Sequence, residues 1–332
     1  MKRLLLFISF MLLLTSCQKD ELDFDSKADD KLIYPNVDLQ LSTWERLDSL
    51  TYLSYSDIHF FNENVGIVSG FAGTVYITKD AGKTWHTVET HKDMTFHCVY
   101  ALNENTFFAA RHGLFKSTNE GDTWKTCNFP EEISIFDLWF KDYENGFLAC
   151  GSATYRTTDG GDNWSKVSSV RASNLQFTSE DIGYFAYGTT AISLISSNPL
   201  PSSGDIYRTI NGGKTWKKMG LKVKEINSRS FIRDKIGYFT TIDDAFYKTT
   251  DGGESCNLID NKTLHIYDLF FVNENQGYLC SGKGISITFD GGNSFQEEYS
   301  IQGNNSIYKF DFPSPALGYA IGHEGLIIKR IP

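Results

Sequence analysis

Seven polar side chains recur at one place in a repeating unit: Asp57, His97, Asp137, Asn174, Ser228, Asp268 and Lys309. Each stands three residues before an aromatic, in order Phe60, Tyr100, Phe140, Phe177, Phe231, Phe271 and Phe312. The residue after each is mostly apolar (Ile58, Cys98, Leu138, Leu175, Leu269, Phe310), and Arg229 is the exception. Three of the seven are aspartates, and two carboxylates across a cleft are what hydrolysis of a glycosidic bond requires. As a binding surface the same ring would line a polar funnel. As structure, each member would cap its strand or bond the adjacent unit, because buried polar groups find partners. Arg111-His112, Asp243-Asp244, Lys283 and His323-Glu324 fall at hairpin tips of the same end, which Arg111, Arg171 and Arg229 can also reach. The sequence holds no HExxH, GxSxG, P-loop or dinucleotide fingerprint, so no catalytic residue is assigned. No Cys or His spacing calls for a metal, and no cofactor is expected.

The elements that must carry these residues are short strands. Six residues after the aromatic comes a glycine (Gly66, Gly146, Gly183, Gly237, Gly277, Gly318), with Thr106 standing in for the second. A brief apolar run follows each, as in Gly237-Tyr238-Phe239. Alternating apolar segments between glycine-rich turns read as strands. The first unit is expected to place strands at 57–61, 66–69, 74–78 and 85–88, and four strands per repeat make a propeller blade.

A turn motif closes the third strand in six units: Thr78 to Trp85 (TKDAGKTW), Ser117 to Trp124, Thr157 to Trp164, Thr209 to Trp216, Thr249 to Cys256 and Thr288 to Phe295. Its Asp/Asn positions, Asp80, Asn119, Asp159, Asn211, Asp251 and Asp290, lie 39, 40, 52, 40 and 39 residues apart. A period near forty marks an array with one supersecondary unit per repeat. An Asp or Asn opening a tight turn accepts N–H bonds from residues further on, and glycine supplies the positive φ. No bidentate Glu follows at the offset a calcium loop needs, so these turns read as hairpin staples. The motif resembles the Asp-box of sialidases and related β-propellers.

Seven aromatic-to-glycine units meet only six boxes. The seventh, from Ser306 to Lys329, lacks a fourth strand, while Ser42-Thr43-Trp44-Glu45-Arg46 imitates the tail of a box. The fold class is therefore all-β, a seven-bladed propeller over residues 39–332 closed by the N-terminal strand around Trp44. Closure leaves no free edge between first and last blades. The fourth unit carries an insertion, Thr189 to Asp205, which maps to a loop on one face.

Residues 1–17 read as a lipoprotein signal peptide. Lys2-Arg3 precede an apolar run from Leu4 to Leu13, and Leu14-Thr15-Ser16-Cys17 resembles a lipobox, which makes Cys17 the lipidation site. Residues 18–38 read as an acidic flexible tether. Gln18-Lys19-Asp20-Glu21 resembles a surface-export signal of Gram-negative lipoproteins. The expected location is the outer membrane of such a bacterium, surface-exposed, with the periplasmic face as the alternative. Losing Lys2 and Arg3 takes the net charge from −10 to −12, which argues against nucleic acid as a partner. The five other cysteines, at 98, 127, 150, 256 and 280, are odd in number and suggest no disulfide framework. A monomer is expected.

The repeat as a whole, D-x-x-F…G…G…T-D-G-G-x-x-W, resembles the photosystem II stability/assembly-factor-type propellers. That resemblance implies a seven-bladed scaffold that binds an unknown protein or glycan ligand at its central face. The alternative is a glycoside hydrolase, sialidase-like or β-glucan-active, using the same face.

Overall fold

The computed structural model describes residues 39–47, 50–51, 53–88, 95–129, 134–187, 204–260, 265–301 and 305–331. The segments read as signal and tether lie outside the described residues, as does the Thr189–Asp205 insertion apart from Gly204 and Asp205. The chain forms seven four-stranded antiparallel sheets. Blade 1 comprises Tyr55–Phe60, Gly66–Gly70, Val75–Thr78 and His86–Val88, within a residue or two of the expected strands. Blades 2 to 6 occupy 98–126, 135–168, 173–218, 226–260 and 266–300. Blade 7 takes Ile307–Ser314, Leu317–Gly322 and Ile327–Ile331 from the C-terminal end, and Thr43–Arg46 is its outer strand. Thr43 pairs with Ile331 and Arg46 with Ile328, so the ring closes through Trp44. The first strand of every blade lies against the first strand of the next, from blade 1 round to blade 7 and back.

The aromatic-glycine spacing has a direct steric cause. Phe60 and Gly66 are cross-strand partners, as are Phe140 and Gly146 and their equivalents in blades 4, 5 and 6. A Cβ on Gly66, Gly146, Gly183, Gly237, Gly277 or Gly318 would sit 2.4–2.7 Å from that aromatic ring. The ring thus lies flat over the bare backbone, and its outer face meets an aromatic of the preceding blade. Phe60 stacks on Tyr319 at 3.8 Å, Phe231 on Tyr184 at 3.6 Å and Phe271 on Tyr238 at 3.7 Å. These rings seal the blade-to-blade seams, so any side chain at the glycine would separate two blades.

Blade 2 departs from the expected alignment by one residue. Ala101, not Tyr100, faces the start of its second strand, where Phe107 occupies the glycine place and Thr106 precedes it. Small and large have exchanged sides, and both residues are buried in the seam with blade 1.

The box turns are closed systems. Thr78 Oγ1 accepts from Gly82 N and donates to Asp80, whose carboxylate takes the N–H and hydroxyl of Thr84 at 2.8 and 2.6 Å. Asn119, Asp159, Asn211, Asp251 and Asp290 repeat the pattern. The Trp85, Trp124 and Trp164 indoles donate to the carbonyl of the box glycine. With both oxygens of Asp80 used inside its own turn, the box is a staple.

Candidate functional site

The two faces of the ring differ in what they carry. Hairpins between second and third strands return to the end where the first strands begin, shown by Phe71 N to Ser54 O, Ile242 N to Glu225 O and His323 N to Ser306 O. That end is the mouth. The box turns bond the first-to-second-strand turns at the opposite end, as in Ala81 N to Asn64 O and Gly160 N to Glu144 O. Two shallow clefts of about 320 and 280 Å³ open there, around Tyr143 with Lys116 and around Trp139 with Arg156.

Near the start of the first strand, a β-bulge interrupts six of the seven blades, between Tyr55 and Asp57 in blade 1 and at matching places in blades 3 to 7. A bulge re-aims one side chain out of the pleat. The residues at or beside it, Phe136, Asn174, Asn227, Tyr267 and Tyr308, lie at the mouth, and each is half-buried. Asn174 has φ 52° and sends its amide to Asn227 O. Sequence reasoning missed Phe136, Tyr267 and Tyr308, because its alternation counted from the aromatic inward and did not anticipate an extra residue.

One step down the axis lies the polar ring, and it stitches neighbouring blades together. Asp57 accepts from Val99 N of blade 2 at 2.8 Å, Asp137 from Leu175 N of blade 4, and Asp268 from Phe310 N of blade 7 at 3.0 Å. Their second oxygens meet Lys309 Nζ (3.0 Å from Asp57), Leu138 N, and Ser228 Oγ with Leu269 N. His97 does not belong to this ring. The one-residue shift of blade 2 puts Cys98 in register with Asp57, so Cys98 is the ring member and His97 stands above it at the mouth. A second tier repeats the logic two residues on. His59, Tyr100, Gln176, Ser230 and Asp311 each accept the backbone N–H of Ala101, Phe140, Phe231, Phe271 and Phe60 in the next blade. Trp139 and Phe270 stack on Phe177 and Phe312 there instead.

The throat carries three carboxylates against Lys309 and Arg229. Burial would lower the Lys309 ammonium, but Asp57, Asp268 and Asp137 outweigh it and hold Lys309 above its ordinary range. Burial pushes Asp137 up to about 6, against the pull of Lys309, the Leu175 N–H and Arg229, and raises Asp268 as well. Arg229 is only 8% exposed, faces blade 4 and donates to Gln176 Oε1 at 2.7 Å. Burial lowers it to about 10. It is an inter-blade tie and does not reach the mouth.

The rim holds the remaining candidates. Arg111 and His112 form the blade 2 hairpin tip, with His112 Nδ1 3.3 Å from Ser134 Oγ. Arg171, just before blade 4, lies over the Phe136 ring at 5.2 Å. The Nε atoms of Arg111 and Arg171 are buried without an acceptor among the described residues, as are those of Arg156, Arg208, Arg229 and Arg330, so this feature does not set the rim arginines apart. His97 is pushed down to about 4 by burial and by the positive charge of Arg111 and His112. Across the mouth, His323 Nδ1 meets Ser54 Oγ at 2.9 Å beside exposed Glu324, and His265 pairs with Asp244 at 2.9 Å. Asp243 takes the Thr241 hydroxyl, and Lys283 is exposed.

Asp137 and His97 make opposite contributions to stability over one pH window. With its value raised to about 6, folded Asp137 holds more protons than the unfolded chain below that pH, so its contribution is lost as pH rises from about 4 to 6. With its value lowered to about 4, folded His97 holds fewer protons, so its contribution is lost as pH falls from about 6.5 to 4. In thermal melts, Asp137→Asn is expected to steepen the fall in Tm from pH 6.5 to 4 relative to the parent. His97→Gln should flatten it, and parallel profiles for all three proteins would refute the assignment.

Comparison with known proteins gives the same architecture. A family model described as Sortilin, neurotensin receptor 3, matches residues 73–198. No curated protein matches the chain. Among solved structures, YCF48 bound to D1 peptide aligns with a TM-score of 0.71 at 20% identity, over 89% of this chain and 98% of that one. YCF48 from Cyanidioschyzon merolae aligns at 0.70 and 17% identity, over 87% and 98%. The GH74 enzyme of Niastella koreensis aligns at 0.63 and 15% identity, over 82% of this chain and 51% of that one. The chain is thus similar in fold to YCF48 over nearly the whole of that chain and to the GH74 enzyme over about half of it.

Proposed function

We propose that this propeller is a lipid-anchored binding module that holds a segment of a partner protein at its mouth. The observation that carries the reading is the division of labour between the two polar layers. In the throat, each oxygen of Asp57, Asp137 and Asp268 already holds a backbone N–H, a hydroxyl or Lys309. Carboxylates committed in this way are poor acids or nucleophiles for glycoside cleavage. At the rim, Arg171 lies over the half-buried ring of Phe136, with Arg111 and His112 at the blade 2 hairpin tip and half-buried Tyr267 and Tyr308 on blades 6 and 7, in a chain of net charge −10. Arginine beside an aromatic is the composition of binding hot spots, where the guanidinium fork meets a carboxylate. The D1 peptide bound to YCF48, a propeller of the same fold, supports a protein ligand over a glycan. Anchoring at Cys17 and display on the outer membrane belong to the same proposal.

The test is capture of the partner by cross-linking in detergent-solubilised envelope. Arg111→Ala and Arg171→Ala should each weaken capture by roughly tenfold or more, the scale of a hot-spot arginine. Arg156→Ala and Arg208→Ala should not, because those side chains lie over Phe147 and Tyr184 toward the box face. Equal effects of the two pairs would place the binding face elsewhere. Arg229 is no part of the comparison, since its removal breaks the tie to Gln176.

A further inference from the structure

The chain enters the ring at one face only. Leu39 is buried, and its N–H bonds Gln276 Oε1 at 3.0 Å. Gln276 lies in the first-to-second-strand turn of blade 6, where Asn275 O accepts from Gly291 N of the box. Arg330 ties down the next residue, with one Nη on Gln40 O and the other on Ala316 O in the equivalent turn of blade 7. Ser42 N then bonds Glu298 at 2.8 Å. From there Thr43–Arg46 runs away from the box turns, and Leu47 N bonds Ile327 O. Ser54 arrives at the mouth against His323. The chain therefore enters at the box face, pinned at residues 39, 40 and 42, and reaches the mouth only after crossing the full height of blade 7.

We infer that the propeller is held with its box face toward the membrane and its mouth away from it, so that the partner segment arrives from the aqueous side. The inference rests on the proposed anchor at Cys17. To turn the mouth toward the membrane, the segment joining Cys17 to Leu39 would have to pass around the rim of the ring. The box face presents exposed charges of both signs, with Glu120 paired to Lys79, Glu254 to Lys217, and Lys83, Asp122 and Lys214 beside them. Mixed charge of this kind gives no single-sign surface to draw a bilayer, so the orientation follows from the tether and not from adhesion. The ligand that fits is a soluble protein, or an extended segment reaching in from outside, and not a headgroup or a membrane-embedded chain.

The experiment places one fluorophore on each face of the full-length protein in phosphatidylcholine vesicles containing rhodamine-labelled phosphatidylethanolamine. Lys214→Cys marks the box face and Lys283→Cys the mouth; both positions are exposed. Half-buried Cys256 is replaced by Ser in each protein, and Cys98, Cys127, Cys150 and Cys280 are buried. Energy transfer to the lipid is expected to be stronger from position 214 than from 283. Equal transfer, or stronger transfer from 283, overturns the orientation. Flotation with the vesicles reads the anchor separately, and Cys17→Ala should abolish it. If the parent itself does not float, the anchor reading fails. The orientation is then decided by the same comparison on residues 18–332 carrying an N-terminal hexahistidine on nickel-chelating vesicles.

Discussion

In protein lacking residues 1–17, deleting residues 18–50 should unfold or aggregate the propeller, whereas deleting 18–36 should leave its thermal midpoint unchanged. The difference lies in one strand and the groups that fasten it. Trp44 is 7% exposed and packs against Phe310, Phe312 and Tyr278 with ring centroids 6.1, 6.2 and 6.4 Å away. Its indole N–H donates to Glu298 at 2.8 Å, and the same carboxylate receives Ser42 N and Arg330. The Glu298 and Arg330 side chains are 1% and 4% exposed. Losing the indole alone should cost about 3–5 kcal/mol. Removing one partner of a buried pair costs a similar amount, so Glu298→Ala is expected to lower stability by about 3–5 kcal/mol and leave Arg330 without its counter-charge. Deleting the strand adds an open edge on Ile327–Ile331, a template for association between copies. Chemical denaturation of the two truncations and of Glu298→Ala measures all three effects. Equal midpoints for both truncations would show that the ring closes without the N-terminal strand.

The architecture was legible because it is written in local, repeated chemistry. A box turn satisfies itself within eight residues, and the Phe60–Gly66 contact follows from one tight turn. The period, the blade count and the closing role of Trp44 could therefore be read from spacing. Blade 2 shows where that reading stops. The pattern keyed on an aromatic followed by glycine and settled on Tyr100 and Thr106. The seam needs only that one partner be bulky and the other small, and Ala101 opposite Phe107 meets that need with the sizes reversed. The apolar run Phe107-Phe108-Ala109-Ala110, starting one residue late, was the available signal.

The site was legible in its residue types and not in their roles. Asp57, Asp137 and Asp268 stood out as a ring, but their partners are backbone N–H groups 38 to 42 residues away, in other blades. No local spacing distinguishes such a tie from a ligand contact. Arg229 shows the same limit. Its position matched an apolar site, which was the clue that it points into a seam, where Gln176 receives it. The mouth aromatics were invisible for a different reason: a bulge changes the alternation by one residue, and sequence periodicity assumes that it does not change.

Replacing Asp57 should show that the throat is structural and say how much of its contribution is charge. Asp57 is 6% exposed and joins two groups, Lys309 through one oxygen and the buried Val99 N–H through the other. Asp57→Ala leaves the Val99 N–H without its acceptor and Lys309 with only the charges of Asp137 and Asp268. An unsatisfied buried N–H costs about 1–3 kcal/mol. The loss of the ion pair adds less than a fully buried pair would, because the Lys309 side chain is 40% exposed and solvent screens it. Together the expected loss is about 3–4 kcal/mol. Asp57→Asn keeps an oxygen for Val99 N and removes only the charge, so it should cost less, about 1–2 kcal/mol. The sharper comparison is Lys309→Met. Alone it leaves Asp57, Asp137 and Asp268 with only Arg229 to offset them and should be destabilising. In the Asp57→Asn background one of the repelling carboxylates is already gone, and the same change should cost clearly less. Guanidinium unfolding of the two single variants and the double variant gives the coupling directly. Additive losses would mean that the 3.0 Å contact between Lys309 and Asp57 contributes nothing to the fold, and would leave both side chains free to meet a ligand.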